Sequence, residues 1–263
     1  MIRVGLAIVL AAMLAASIGP SLTPYDPTAQ ELARRLEGPS LSHPLGLDEL
    51  GRDIMARLLS GARISLLVGI AVVSVSSLLG MLLGSIAGYF GGVIDDLISR
   101  LVDVLMAFPG ILLAIALVAV LGPSLTNVVL ALSVIGWVGY ARLVRSQALR
   151  AREFEFVQAA RALGASAPRI VLRHVLPTAF PAVVVQASLG MAGAIIAEAA
   201  LSFLGLGVQP PTPSWGTMLD AGRSHLFDAP HLTIFPGLAI AVLVLGFNFL
   251  GDGLRDRVDP RQT

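Results

Sequence analysis

Two carboxylates stand where carboxylates are costly. Glu198 falls within an apolar stretch that starts at Val175 and continues to about Phe203, and Asp103 opens another that runs uncharged from Val104 to Ala141. Ionisable groups at such positions face a cavity or pair with a partner, because hydrocarbon does not solvate them. For Glu198 two roles stand side by side: a pathway-lining or gating group, and a hydrogen bond that ties helices together. Asp103 has the same pair of readings, with Arg100 or the membrane interface as the structural alternative. A third candidate is an apolar knob. In Glu153–Gly164, Phe156, Ala159, Ala160 and Leu163 recur at the i, i+3, i+4, i+7 spacing of one helical face. Glu153 and Glu155 favour the helix start, Gly164 ends the helix, and Ser166 with Pro168 can start a second one running to Leu176-Pro177. Such a knob suits a partner's groove, but composition alone favours a loop helix lying on the membrane surface.

Other chemistries find no residues. The chain has no cysteine, so thiol, disulfide and cysteine–metal chemistry are excluded. Its four histidines do not fall at ligand spacing, and no Ser/His/Asp set occupies a plausible depth, so no catalytic residue is assigned and no enzyme is expected. All 18 basic residues are Arg. A Walker phosphate loop needs a Lys, so any ATP in this protein's cycle is hydrolysed by another chain. A net charge of +1 leaves no basic excess for nucleic acid.

The elements that position these groups are membrane helices. Of 263 residues 56% are hydrophobic and 13% charged, against about 25% charged in soluble domains. A spanning helix needs roughly 20 apolar residues, and the charge-free runs supply six. Val4–Tyr25 is the first, or else a secretory signal peptide ending near Ala15-Ala16-Ser17. Ile64–Ile94 is the second. Gly122-Pro123 divides Val104–Ala141 into the third and fourth, with a kink at Pro109 in the third. Val175 to about Phe203 is the fifth, and Leu232–Gly251 the sixth. Seven Arg between Arg142 and Phe180 place that loop in the cytoplasm, and alternation brings both termini inside. Five Arg then lie in the first external loop among six acids, a local exception to the positive-inside rule. The expected organisation is a transmembrane helix over 1–22, an external loop over 23–63, a five-helix core over 64–252 that includes cytoplasmic loop 142–180, and a cytoplasmic tail over 253–263. Gly80, Gly84 and Gly88, like Gly190 and Gly193, read as close helix packing. Trp215 reads as an interfacial or loop-packing residue, or as a contact for an external partner.

Several motifs carry a resemblance. Gln158-Ala159-Ala160, then Gly164, His174 and Leu176-Pro177, is similar in order and spacing to the "EAA" loop of permease subunits of binding-protein-dependent ABC importers. Gln158 replaces the consensus Glu and His174 the consensus Ile, so the Ala-Ala face and Gly turn remain while the consensus charge is missing. His43-Pro44-Leu45-Gly46-Leu47-Asp48-Glu49-Leu50-Gly51-Arg52-Asp53 resembles the block before the second span in dipeptide/oligopeptide/nickel permeases, of the second subunit type. Gly88-Tyr89-Phe90-Gly91-Gly92, Arg100-Leu101-Val102-Asp103, Phe108-Pro109, Glu198 to Gly207 and Trp215-Gly216 extend the likeness over residues 24–260.

The resemblance implies an all-α membrane protein with six transmembrane helices, in the type I ABC importer permease fold with a cytoplasmic coupling helix. It implies a multi-pass subunit of the bacterial or archaeal plasma (inner) membrane that forms half of a pathway for dipeptides, oligopeptides, nickel or another small solute. The implied partners are a second homologous permease subunit, two cytoplasmic ATPases or one fused ATPase, and an external solute-binding protein that docks partly on 206–231. ATP and Mg would be bound by the ATPases and no cofactor by this chain. Phe156, Gln158, Ala159, Ala160, Arg161, Leu163 and Gly164 would couple to the ATPase, and Glu198 and Asp103 would serve the pathway. A proton-coupled carrier using Glu198, and a membrane-embedded enzyme, are the competing classes. The missing inverted repeat and the scarcity of intramembrane charge disfavour the carrier.

Overall fold

The computed structural model describes residues 1–258; residues 259–263, with Arg261 of the expected tail, lie outside the described residues. In chain order the helices are α1 (Ile2–Leu22), α2 (Ile54–Phe90), α3 (Gly92–Met106), α4 (Gly110–Leu121), α5 (Leu125–Ala151), α6 (Glu155–Ala162), α7 (Ala167–Ile170), α8 (Leu176–Phe203), α9 (Trp215–Gly222) and α10 (His231–Val258). α1, α2, α5, α8 and α10 are each long and apolar enough to cross a membrane, and the bent pair α3–α4 makes a sixth span if taken as one.

That pair departs from the expected kink. The chain turns by 86° at Ala107-Phe108-Pro109. Pro109 has no N–H to continue the α3 ladder and instead opens α4 as its N-cap. The 12 residues of α4 reach about 18 Å at 1.5 Å per residue, well short of a hydrocarbon core of about 30 Å.

α2 also differs, starting at Ile54 within the stretch expected as external loop. The charges that suggested a loop are satisfied as the helix begins. Asp53 caps it through the Ala56 N–H at 2.7 Å and meets His43 Nδ1 at 2.8 Å. Arg52 binds Asp48 and Glu49, each at 2.7 Å, and Arg57 lies 3.2 Å from Asp48. Arg34 pairs with Glu37 at 2.6 Å and its hydrogen bond holds that carboxyl below its ordinary range. The Arg-rich block is therefore an ion-paired knot over the start of α2. Arg63 has a different task. Pro20 cannot donate to the Ala16 carbonyl, and Arg63 does so instead, Nε to Ala16 O at 2.5 Å and Nη2 to Ser17 O at 2.7 Å.

Helix packing rests on small residues, since lipid gives no hydrophobic drive between spans. Gly80, Gly84 and Gly88 lie directly on the backbone and side chains of Tyr140–Ala148 in α5, where a Cβ has no room. α1 runs antiparallel to α10, with Gly253 against Ile2 and Gly246 against Ile8, so the start of α1 and the end of α10 lie on one side of the bundle. The second loop helix does not stop at Leu176-Pro177. α7 continues through a π turn over Val171–Val175 into α8, the widened turn lying just before Pro177, which offers no donor to the ladder.

Candidate functional site

The loop between α5 and α8 presents a helix with one side anchored and the other bare. Val157 is fully buried and packs with Ala148, Ala151, Ile170 and Val175, fixing α6 to the end of α5, to α7 and to the π turn that leads into α8. On the other side Phe156 is 49% and Leu163 89% exposed, Ala159 is exposed, and Ala160 lies half-buried between the two sides. The helix is closed by a Schellman turn: Ala165 N–H donates to Ala160 O and Gly164 N–H to Arg161 O, both at 3.0 Å, with Gly164 at φ +82°. Arg161 stacks over the Tyr89 ring at 5.6 Å, which ties the helix to the end of α2. The Gln158 amide turns back to the Glu153 carbonyl at 3.3 Å. His174 rests near the Phe156 ring at 5.8 Å and Phe154 near it at 5.4 Å, so three rings gather at the knob's base. The seven expected coupling residues are thus on one short helix and its cap. Val157, which the apolar spacing did not pick out, is what holds them there.

A second feature lies within the bundle. A cavity of about 280 Å³, open on one side, is walled by α2, α4, α5 and α8, and every residue lining it is uncharged. Most of the wall is Gly, Ala, Val, Leu and Ile; the polar exceptions are Ser76, Tyr140 and Gln186. The hydroxyls fit because glycines face them: a Cβ on Gly136 would collide with Ser76 Oγ, and one on Gly190 with Tyr140 Oη. Gly193 has nothing within 4 Å of a would-be Cβ, so it is a cavity wall and not the packing contact its neighbourhood suggested. None of the three polar residues was legible from charge-free runs. The available signal was an amide, Gln186, in the middle of an otherwise apolar span.

Glu198 does not reach this cavity, although Ala194 and Ala197 do. It is 1% exposed and accepts hydrogen bonds from Ser202 Oγ at 2.7 Å and Ser65 Oγ at 3.1 Å, with Ser214 of the α9 cap also beside it. The carboxylate thus clamps α2, α8 and the start of α9, which is the interhelical role that stood beside pathway lining. Glu198→Ala strands two buried hydroxyls and should destabilise the bundle by about 2 kcal/mol, whereas Glu198→Gln keeps an acceptor and should melt close to the parent. Thermal unfolding in detergent checks this, and equal melting of all three forms would contradict the clamp.

Asp103 is exposed on α3, on a polar cleft of about 300 Å³ that it shares with Ser99, Arg142 and Arg145. It forms no ion pair with Arg100 among the described residues. Asp95, earlier on the same helix, instead grips Arg145 with both oxygens, the Oδ2–Nη2 contact being 2.7 Å, and links α3 to α5. Trp215 is buried against Gly61 and donates to Leu58 O at 2.9 Å, so it packs the loop and offers no face to an external partner.

Residues 80–263 match the family described as binding-protein-dependent transport system inner membrane component. The chain is 48% identical over 258 residues to the dipeptide transport system permease protein DppC of Alkalihalophilus pseudofirmus, covering 98% of this chain and 85% of that one. It is 49% identical over 241 residues to the glutathione transport system permease protein GsiD of Pectobacterium atrosepticum, covering 91% and 80%. The likeness therefore includes α1 and the ion-paired external block as well as the core. A chain of the MetNI methionine ABC transporter, solved in inward-facing conformations, superposes with a TM-score of 0.63 at 20% identity over 78% of this chain and 98% of that one, a likeness of fold.

Proposed function

The chain belongs to the family of binding-protein-dependent inner-membrane transport components, and from that premise we propose that it is one permease subunit of an ATP-driven importer of short peptides. It pairs with a second, homologous permease subunit, receives cargo from an external solute-binding protein, and is driven by two ATPase subunits or one fused ATPase that bind the ATP and Mg. This chain performs no hydrolysis. Its termini and the 142–180 loop face the cytoplasm, in line with the Arg balance and with the antiparallel packing of α1 on α10. The cavity among α2, α4, α5 and α8 is this chain's share of the pathway, its open side completed by the second subunit.

The observation that carries this reading is the bare apolar side of α6. A helix anchored by Val157 yet exposing Phe156 and Leu163 is built to insert into something. We assign that side, with Ala159, Ala160, Gln158, Arg161 and the Gly164 turn, to the ATPase groove. A rigid connection from α6 through α7 and the π turn into α8 would carry ATPase closure straight to the cavity wall. Peptide cargo is favoured over nickel because the similar proteins are named for dipeptide and glutathione transport.

Reconstitution with the partner subunits and the binding protein tests the proposal. Uptake of a labelled dipeptide into proteoliposomes should require ATP and survive collapse of the proton gradient. Uptake that stops with the gradient while ATP remains would overturn it and return the field to a proton-coupled carrier.

A further inference from the structure

The cavity contains polar groups that the protein itself leaves without partners. Ser76 is 1% exposed and its hydroxyl has no hydrogen bond. Gln186 lies half-buried midway along α8, and its side-chain amide meets no protein partner among the described residues; only its backbone carbonyl is engaged, by Tyr140 Oη at 3.4 Å. In hydrocarbon an unpaired amide and hydroxyl are costly, and lipid tails offer neither donors nor acceptors. The space they face, about 280 Å³, is polar at these points and roomy enough to hold water. Water there is exchangeable, and a solute with its own donors and acceptors can replace it.

The chemistry of the groups narrows that solute. A primary amide donates and accepts in the pattern of a peptide group, the Ser76 hydroxyl beside it does either, and Tyr140 Oη, whose proton goes to the Gln186 carbonyl, can accept. No charge lies on the wall. We propose that Ser76, Tyr140 and Gln186 form a hydrogen-bonding station that holds the amide groups of a passing peptide and is indifferent to the charge of its side chains. Selection by charge is then left to the other parts of the transporter. The apolar remainder of the wall, with the open Gly193 position, accommodates side chains without gripping them. The station rests on the proposal that this cavity is a peptide pathway.

The test uses the complete complex with its binding protein in proteoliposomes, and three cargoes: Ala-Ala, Ala-Asp and Ala-Lys. Gln186→Glu should depress uptake of Ala-Asp about tenfold relative to Ala-Lys, and Gln186→Lys should do the reverse, because like charges meeting in a confined site repel strongly. Peptide affinity of the binding protein stays constant throughout. A purely structural Gln186 would lower all three cargoes alike, and unchanged ratios in both variants overturn the station. Wetness is tested separately. The chain contains no cysteine, so Gly193→Cys introduces a unique thiol, which should react with a charged, membrane-impermeant methanethiosulfonate reagent. A thiol that stays unlabelled overturns the wet cavity. If the parent complex moves none of the three peptides while Gly193→Cys is labelled, the peptide reading of the pathway fails, and the station with it as a peptide site; labelling with unchanged ratios isolates failure of the station alone.

Discussion

Gly164→Pro should reduce peptide uptake by the assembled transporter by about 30-fold while the bundle stays folded, as should Ala159→Asp. The two act by different physics on one surface. Gly164 stands at φ +82° and donates to Arg161 O; proline requires a φ near −65° and has no N–H, so the Schellman turn cannot form. The end of α6 then swings, and Leu163 leaves the line of Phe156 and Ala159. Ala159→Asp leaves the backbone intact and places a carboxylate in the middle of the face assigned to the ATPase groove. Loss of a central interface residue costs roughly 2 kcal/mol or more, which is the source of the 30-fold figure. Neither site is enclosed in this chain: nothing lies within 4 Å of a Cβ at Gly164, and Ala159 is exposed. Melting temperature and elution volume of the isolated subunit should therefore match the parent. ATPase activity of the complex should persist without cargo movement. Parent-like uptake in both variants would remove α6 from the coupling role.

The second large effect contrasts two glycines given the same side chain. Gly84→Leu should prevent formation of a stable bundle, and Gly193→Leu should leave stability unchanged while blocking transport. At Gly84 a Cβ would strike Ala141 O and come within 3.0 Å of Arg145 N and Val144 Cβ. Those are mostly backbone atoms of α5, so no rotamer change relieves the clash and the helices must separate. Overpacking of this kind costs about 3 kcal/mol, applied at an interface where close approach is the main source of stability. At Gly193 a leucine meets open space and fills the cavity instead. The readouts are monodisperse yield and melting temperature for the first variant, and uptake for the second. A stable Gly84→Leu, or an unstable Gly193→Leu, would show that the two glycines had been assigned the wrong roles.

Much of this architecture was present in one-dimensional pattern. Spans follow from charge-free runs because a charge in hydrocarbon is penalised wherever the fold places it, and such runs carry α1 and α10; α5 needs the Gly122-Pro123 break as well and continues past Arg142 to Ala151, and α8 runs on past Glu198. The α6 helix and its Gly164 stop were legible because an i, i+3, i+4 face and a positive-φ turn are local properties. The failures occurred where charge or polarity is satisfied at a distance. Arg57 and Arg63 marked α2's first turns as loop until Asp48 and the Ala16 carbonyl came to meet them. Pro109 announces a bend, but a proline in sequence does not set its size, which is 86°.

The functional groups divide in the same way. Which side of α6 would be apolar is written in its spacing. That this side is bare depends on Val157 finding Ile170 and Val175 on the opposite flank. Glu198 stands out as a buried carboxylate whose role composition leaves open between pathway and clamp; hydroxyls from three separate segments, Ser65, Ser202 and Ser214, gather on it, which is the geometry of a clamp. Ser76 and Gln186 escape a search for charge-free runs because both are neutral, although an amide amid apolar residues is a signal in itself. Only the packing of four helices shows that neither has a partner, and an unpartnered polar group in a membrane implies water or cargo beside it.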